Sequence, residues 1–147
     1  MAATALTDAW AIVRHRLLGV RPPDFGLVGR WIAHLALGRF RHDSISAASA
    51  VRGESLIGWT AHYLIGIAFA ALLPTIWGAR WFEQPTLVPA LLVGVGTVLA
   101  PFLIMQPGMG AGIAASRTPR PAAARLHSLM THVIFGIGLY FAAAMIS

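Results

Sequence analysis

The stretch "LIGWTAHYLIGIAFAALLPTIWGA", residues 56–79, decides the fold class. It runs for 24 residues without Asp, Glu, Lys or Arg. A bilayer core about 30 Å thick is crossed by about 20 apolar residues as helix, so this stretch is long enough to span. Two more charge-free stretches follow, 33 residues at 84–116 and 22 residues at 126–147. A domain of 147 residues has too little interior to bury three such segments in water. The expected spans are about 56–78, 86–106 and 126–146.

Working outward, the N-terminal "MAATALTDAWAIV" is apolar apart from Asp8 and meets "RHR" at 14–16. Thirteen residues of helix cover about 20 Å, short for a full crossing. No basic region precedes it and no cleavage site follows, so it is a poor signal peptide. The expectation is a first helix over about 2–19, short or truncated at its outer end. The fold class expected is therefore all-α, a multi-pass membrane helix bundle of four helices, in one membrane domain over 1–147. A loop at 20–55 joins the first two helices.

Composition agrees and narrows the chemistry. The chain is 57% hydrophobic with a mean hydropathy of +0.71, above the roughly 45–50% apolar share of soluble domains. There is no cysteine, which excludes disulfides, thiol catalysis and thiolate metal sites. All eleven basic residues are arginine, and the formal net charge is +6. Ten of the eleven fall at the end of the first helix, in the loop after it or between the last two helices, and Arg80 is the exception. The positive-inside rule makes that side cytoplasmic, and both termini then face outward. This placement accounts for the basic charge without nucleic acid. The expected location is the bacterial inner membrane and the expected partner is the lipid bilayer, with a homodimer as a further expectation.

Within the loop, "PPDFGLVGRWIAHLALGRF" carries an apolar stripe of Phe25, Val28, Ile32 and Leu35, with Arg30 and His34 off it. Asp24 is placed to cap a helix after two prolines. An amphipathic helix over about 24–38, lying on the cytoplasmic interface, is expected. Directly after it, "GRFRHDSI" at 38–45 packs two arginines, a histidine and an aspartate into five positions. Topology asks for arginine here and does not ask for His42 beside Asp43. Asp43 or Ser44 capping a turn is one reading. The other is a loop folded over the cytoplasmic mouth of the bundle, with Arg39, Arg41, His42, Asp43 and Arg117 as its candidate residues.

Ionisable residues inside spans are functional candidates by default. Asp8, His62, His132 and Gln106 form the candidate intramembrane polar site. "TAHYLIGIAFAA" and "MTHVIFGIGLYFAA" align on His62 and His132, which suggests an internal repeat of two helix pairs. Gly58, His62, Gly66 and Ala70 fall on one i, i+4 line, and small residues on such a line mark close helix approach. Haem or copper held by His62 and His132 is the weaker alternative to a structural hydrogen-bonding role, and no metal or cofactor is expected. "QPGMGAGIAAS" at 106–116 is glycine-rich but lacks the strand before it and the lysine of a phosphate loop. Pro107 is expected to end the helix at 86–106 and the glycines to allow a tight or re-entrant turn.

Four segments together, "GLVGRWIAHLALGRFRHDSI", "GWTAHYLIGIAFA", "QPTLVPALLVGVGTVLAPFLIMQPGMGAGIAASRTP" and "ARLHSLMTHVIFGIGLYFAA", resemble in order and spacing the bacterial membrane-protein family catalogued as domain of unknown function 2938. "GRFRHDSI" and "PFLIMQPGMGAGIAASRTP" are the most distinctive matches. Members usually have a longer N-terminus that completes the first helix. The resemblance implies an architecture and no activity, substrate or catalytic residues. Three functions stay open: a small solute or ion/proton-coupled transporter-like protein, a membrane enzyme or cofactor protein using His62 and His132, and a structural or accessory subunit.

Overall fold

The computed structural model describes residues 1–147. It is all helical, without strands. The helices are α1 (Ala2–Leu18), α2 (Phe25–Ala36), α3 (Glu54–Trp77), α4 (Leu87–Gly96), α5 (Gln106–Met109) and α6 (Pro121–Ala144). Three segments are long and apolar enough to cross a membrane: Glu54–Trp77, Leu87–Met109 and Pro121–Ala144. Only 17% of the apolar window of α3 is buried. Leu56, Leu64, Ile65, Ile67, Leu72 and Ile76 all stand exposed along it. A soluble monomer rarely shows contiguous apolar patches beyond a few hundred Å², so this surface is compatible with a membrane protein.

Spatial proximity groups the chain into two compact units. The first comprises residues 1–23, 63–98 and 128–147. Its core is Ala3, Leu73, Trp81, Ala90, Val93, Phe135, Leu139 and Ala143. Small residues allow the backbones to meet there. A methyl group on Gly66 would lie 2.3 Å from the Thr4 hydroxyl, and one on Gly94 would lie 2.5 Å from the Gly136 Cα. Trp81 is buried and its indole N–H donates to Thr86 Oγ1 at 3.2 Å.

The second unit comprises residues 24–62 and 99–127. Asp24 caps α2, accepting from the Leu27 amide at 3.3 Å. The helix buries Gly29, Trp31 and His34. This differs from the apolar stripe read in the sequence, which left His34 outside. The reason is local: Gly29 lies against the first turn of α3, where an added methyl would be 2.6 Å from the Gly58 amide nitrogen. Backbone contact at glycine sets the buried face, rather than the largest apolar stripe.

The segment Leu87–Met109 is broken. α4 ends at Gly96, and a wide π-helical turn runs over Pro101–Met105. The Gln106 amide donates to the Pro101 carbonyl, five residues back. Proline supplies no N–H and clashes with a regular preceding turn, so prolines at 101 and 107 loosen this stretch. Pro107 does not end the segment as expected. It lies within the segment, the second residue of α5 directly after the π turn. The stop comes at Gly110, with φ 95°. Beyond it, Ala114 and Ala115 adopt left-handed φ of 48° and 60°, a conformation costing roughly 1–2 kcal/mol per residue. The Arg125 guanidinium, donating to the Ala114 carbonyl at 2.8 Å, helps to hold that bend.

Candidate functional site

The loop at 38–45 docks on the turn at 106–111. The His42 amide donates to the Gly108 carbonyl at 2.9 Å. A methyl on Gly110 would lie 2.2 Å from the Asp43 carbonyl oxygen, and one on Gly108 would lie 2.5 Å from the Trp31 indole nitrogen. Glycine at 110 lets the loop touch the turn, and glycine at 108 lets Trp31 of α2 do so. Gly110 also has a left-handed backbone that favours glycine. The Trp31 indole N–H donates to the Phe40 carbonyl at 3.2 Å, tying the loop back to α2.

Arg30 fixes the following stretch. Its Nε and Nη2 donate to the two carboxylate oxygens of Glu54, each at 2.8 Å. Its Nη1 donates to the carbonyls of Ile45, Ser46 and Ala48 at 3.4, 3.3 and 3.0 Å. Glu54 also accepts from the Val51 amide at 2.9 Å. Planar two-point pairing of this kind is specific to arginine. The Glu54 carboxylate raises the Arg30 guanidinium above its ordinary value, so it stays charged throughout. Arginines on this side were ascribed in the sequence to topology, yet Arg30 organises the loop.

Arg39, Arg41, His42 and Asp43 share an open concavity with Gly38, Phe40, Ser44, Ala47 and Ala48. Arg117 does not line it. Its amide donates to the Ala111 carbonyl at 2.8 Å, and its side chain passes Gly112. Ser44 heads the short turn Ile45–Ala47, but its hydroxyl meets Ser46 at 2.8 Å instead of capping that turn.

The four intramembrane candidates have separate surroundings. Asp8 accepts from the Tyr63 hydroxyl at 2.9 Å in the first unit. His132, in the same unit, has Nδ1 3.0 Å from Thr97 Oγ1 and 3.1 Å from the Gly94 carbonyl. His62 belongs to the second unit and stacks on Phe25, ring centroids 4.2 Å apart, with Trp59 at 5.8 Å. Gln106 is also in the second unit, at the break in the segment Leu87–Met109. Its Oε1 is buried and accepts no hydrogen bond. No group of three or more His, Asp or Glu gathers in a metal-holding arrangement.

Sequence reasoning missed His34. It is 3% exposed, with Nδ1 2.8 Å from Nε2 of His42 and Nε2 3.1 Å from the Ser49 carbonyl. His42 Nδ1 lies 3.3 Å from the Gly108 carbonyl. The available signal was the spacing of Trp31 and His34, three residues apart on α2. That pair shares a helix face, and it is the buried one.

Taken together, an all-helical chain with three apolar segments of spanning length and a loop platform built from two distinctive motifs defines the class. The family model described as protein of unknown function (DUF2938) matches residues 1–146, and the chain belongs to that family. Comparisons with curated proteins and with solved structures return no match.

Proposed function

We propose that the chain is a multi-pass protein of the bacterial inner membrane, with both termini outside, that moves a small solute or ion in a proton-coupled manner. The observation that carries this reading is the broken segment Leu87–Met109 with the buried, unpartnered Gln106 carboxamide oxygen at its break. Irregular backbone at membrane depth is tolerated where it is covered by protein or lines a cavity. Broken helices of this kind supply carbonyls to solute or ion sites in transporters. A buried acceptor without a donor costs about 1–3 kcal/mol, a cost that a bound donor or cation would relieve. In this reading Arg39, Arg41 and His42 form the cytoplasmic mouth, and α2 lies at the interface beside it.

The test is flux in reconstituted vesicles. Wild-type protein should dissipate imposed gradients of protons, sodium, potassium or inorganic phosphate faster than protein-free vesicles. Gln106→Leu, checked for helicity, should remove the excess flux. Equal flux from wild type and Gln106→Leu for every probe would sink the reading. A second reading, an accessory subunit whose polar residues serve packing alone, is favoured by the pairing of Asp8 with Tyr63 and of His132 with Thr97. It gains if Asp8→Asn and His132→Gln leave every cellular phenotype intact.

A further inference from the structure

The contact between His34 and His42 constrains how many protons the two rings carry. Both outer nitrogens face carbonyl oxygens: His34 Nε2 faces Ser49 at 3.1 Å and His42 Nδ1 faces Gly108 at 3.3 Å. A carbonyl only accepts, so each outer nitrogen is the N–H. Neutral imidazole has one N–H and one lone pair. Two neutral rings would then point lone pairs at each other across the 2.8 Å between His34 Nδ1 and His42 Nε2. Turning the His34 ring over would place carbons against both of its partners, so its orientation is fixed twice. The same holds for His42. One added proton resolves the conflict, because it makes the inner contact an N–H···N hydrogen bond of ordinary length.

We propose that His34 and His42 form a proton-binding site, in which one shared proton between His34 Nδ1 and His42 Nε2 fastens the loop at 38–44 onto the Gly108 turn. The pair then carries a single positive charge on two rings. The charged groups on the elements it touches are Arg30, four residues earlier on α2, with its partner Glu54 at the start of α3, Arg39, Arg41 and Asp43 of the loop itself, and Arg52 after Ser49. The turn at 106–111 contributes no ionisable residue. The Arg30 charge is balanced by its ion pair with Glu54 at 2.8 Å. The response to pH is two-sided. Loss of the shared proton sets two lone pairs face to face, and gain of a second sets two N–H groups face to face. Either change weakens docking, so docking is strongest at the singly protonated stage. This proposal rests on the ring geometry and does not require the transport reading.

The experiment is nitrogen-15 spectroscopy of the full chain, histidine-labelled, in phospholipid nanodiscs between about pH 5 and 8, the range over which histidine changes charge. His34 and His42 should titrate together as coupled sites, with a scalar coupling across the inner N–H···N contact. Exchange of the His42 amide, the donor to Gly108, should be slowest where the pair is singly protonated. His42→Gln should uncouple His34 and speed exchange of the residue-42 amide by about tenfold, the scale of one lost hydrogen bond. The wild-type spectrum decides the matter even if the variant misfolds. Independent titrations of His34 and His42 would overturn the proposal. So would a metal ion that copurifies with wild type and is lost in His42→Gln, since a metal would then occupy the place of the proton.

Discussion

Replacing Gly58 by alanine tests the packing that presents the loop platform. The added methyl would lie 1.7 Å from the Phe25 carbonyl oxygen and 2.6 Å from its carbon. Both atoms are backbone, so no rotamer change can yield, and α2 must move off α3. Overpacking costs typically 1–3 kcal/mol, and an unyielding backbone obstacle places this site near about 3. Alanine returns about 1 kcal/mol in helix propensity. The expected net loss is about 2 kcal/mol, roughly a thirtyfold shift in the folding equilibrium. Gly29→Ala meets the Glu54 carbonyl at the same crossing, so the double variant should lose less than the sum of the singles. Gly96→Ala is the control, since a methyl there meets nothing within 4 Å. The assay is reversible unfolding in mixed micelles followed by circular dichroism. If Gly58→Ala falls within about 0.5 kcal/mol of wild type, as an unconstrained surface change would, the close crossing of α2 and α3 is refuted.

Thr97→Val keeps the shape of a side chain that is 6% exposed and removes its hydroxyl contact to His132. It should cost about 1–3 kcal/mol in the same unfolding assay. Arg30→Met removes the pairing with Glu54 and three carbonyl contacts at once, so limited proteolysis should cut within 45–53 in the variant and spare wild type. Gly108→Ala pushes a methyl into the Trp31 indole. Trp31 fluorescence, read with the other four tryptophans replaced by phenylalanine, should shift to the red as the ring is exposed to water.

The long helices were legible because a run without charge needs no partner to identify it. Residues 56–79 announce a helix of spanning length whatever packs beside it. Gly58 and Gly66 were legible as points of close approach, since small residues on one i, i+4 line leave room for another backbone. What meets them was not. Gly58 faces Phe25 and Gly66 faces Thr4, and nothing in the local pattern names either. The buried face of α2 was misassigned for a related reason. An apolar stripe ranks side chains by their affinity for oil, whereas α2 is seated by a glycine contact and by the hydrogen bonds of Trp31 and His34. Arg30 shows the same limit, because a rule about charge asymmetry cannot separate a guanidinium solvated by headgroups from one that holds a loop. Within Leu87–Met109, Pro101 and Pro107 flagged irregularity. The π turn, and the burial of the Gln106 oxygen without a donor, depend on how neighbouring turns rearrange.

The most direct test of the account is the side of the membrane on which the two docked segments lie. The chain has no cysteine, so single cysteines can be placed at Ser46 and Ser116, both exposed, and at Ser147. Labelling with a membrane-impermeant maleimide in inside-out vesicles should modify Ser46→Cys and Ser116→Cys and leave Ser147→Cys unlabelled until detergent is added. Labelling of Ser46→Cys and Ser116→Cys from opposite sides would contradict the account, because a loop whose His42 amide donates to Gly108 cannot lie across a bilayer from it.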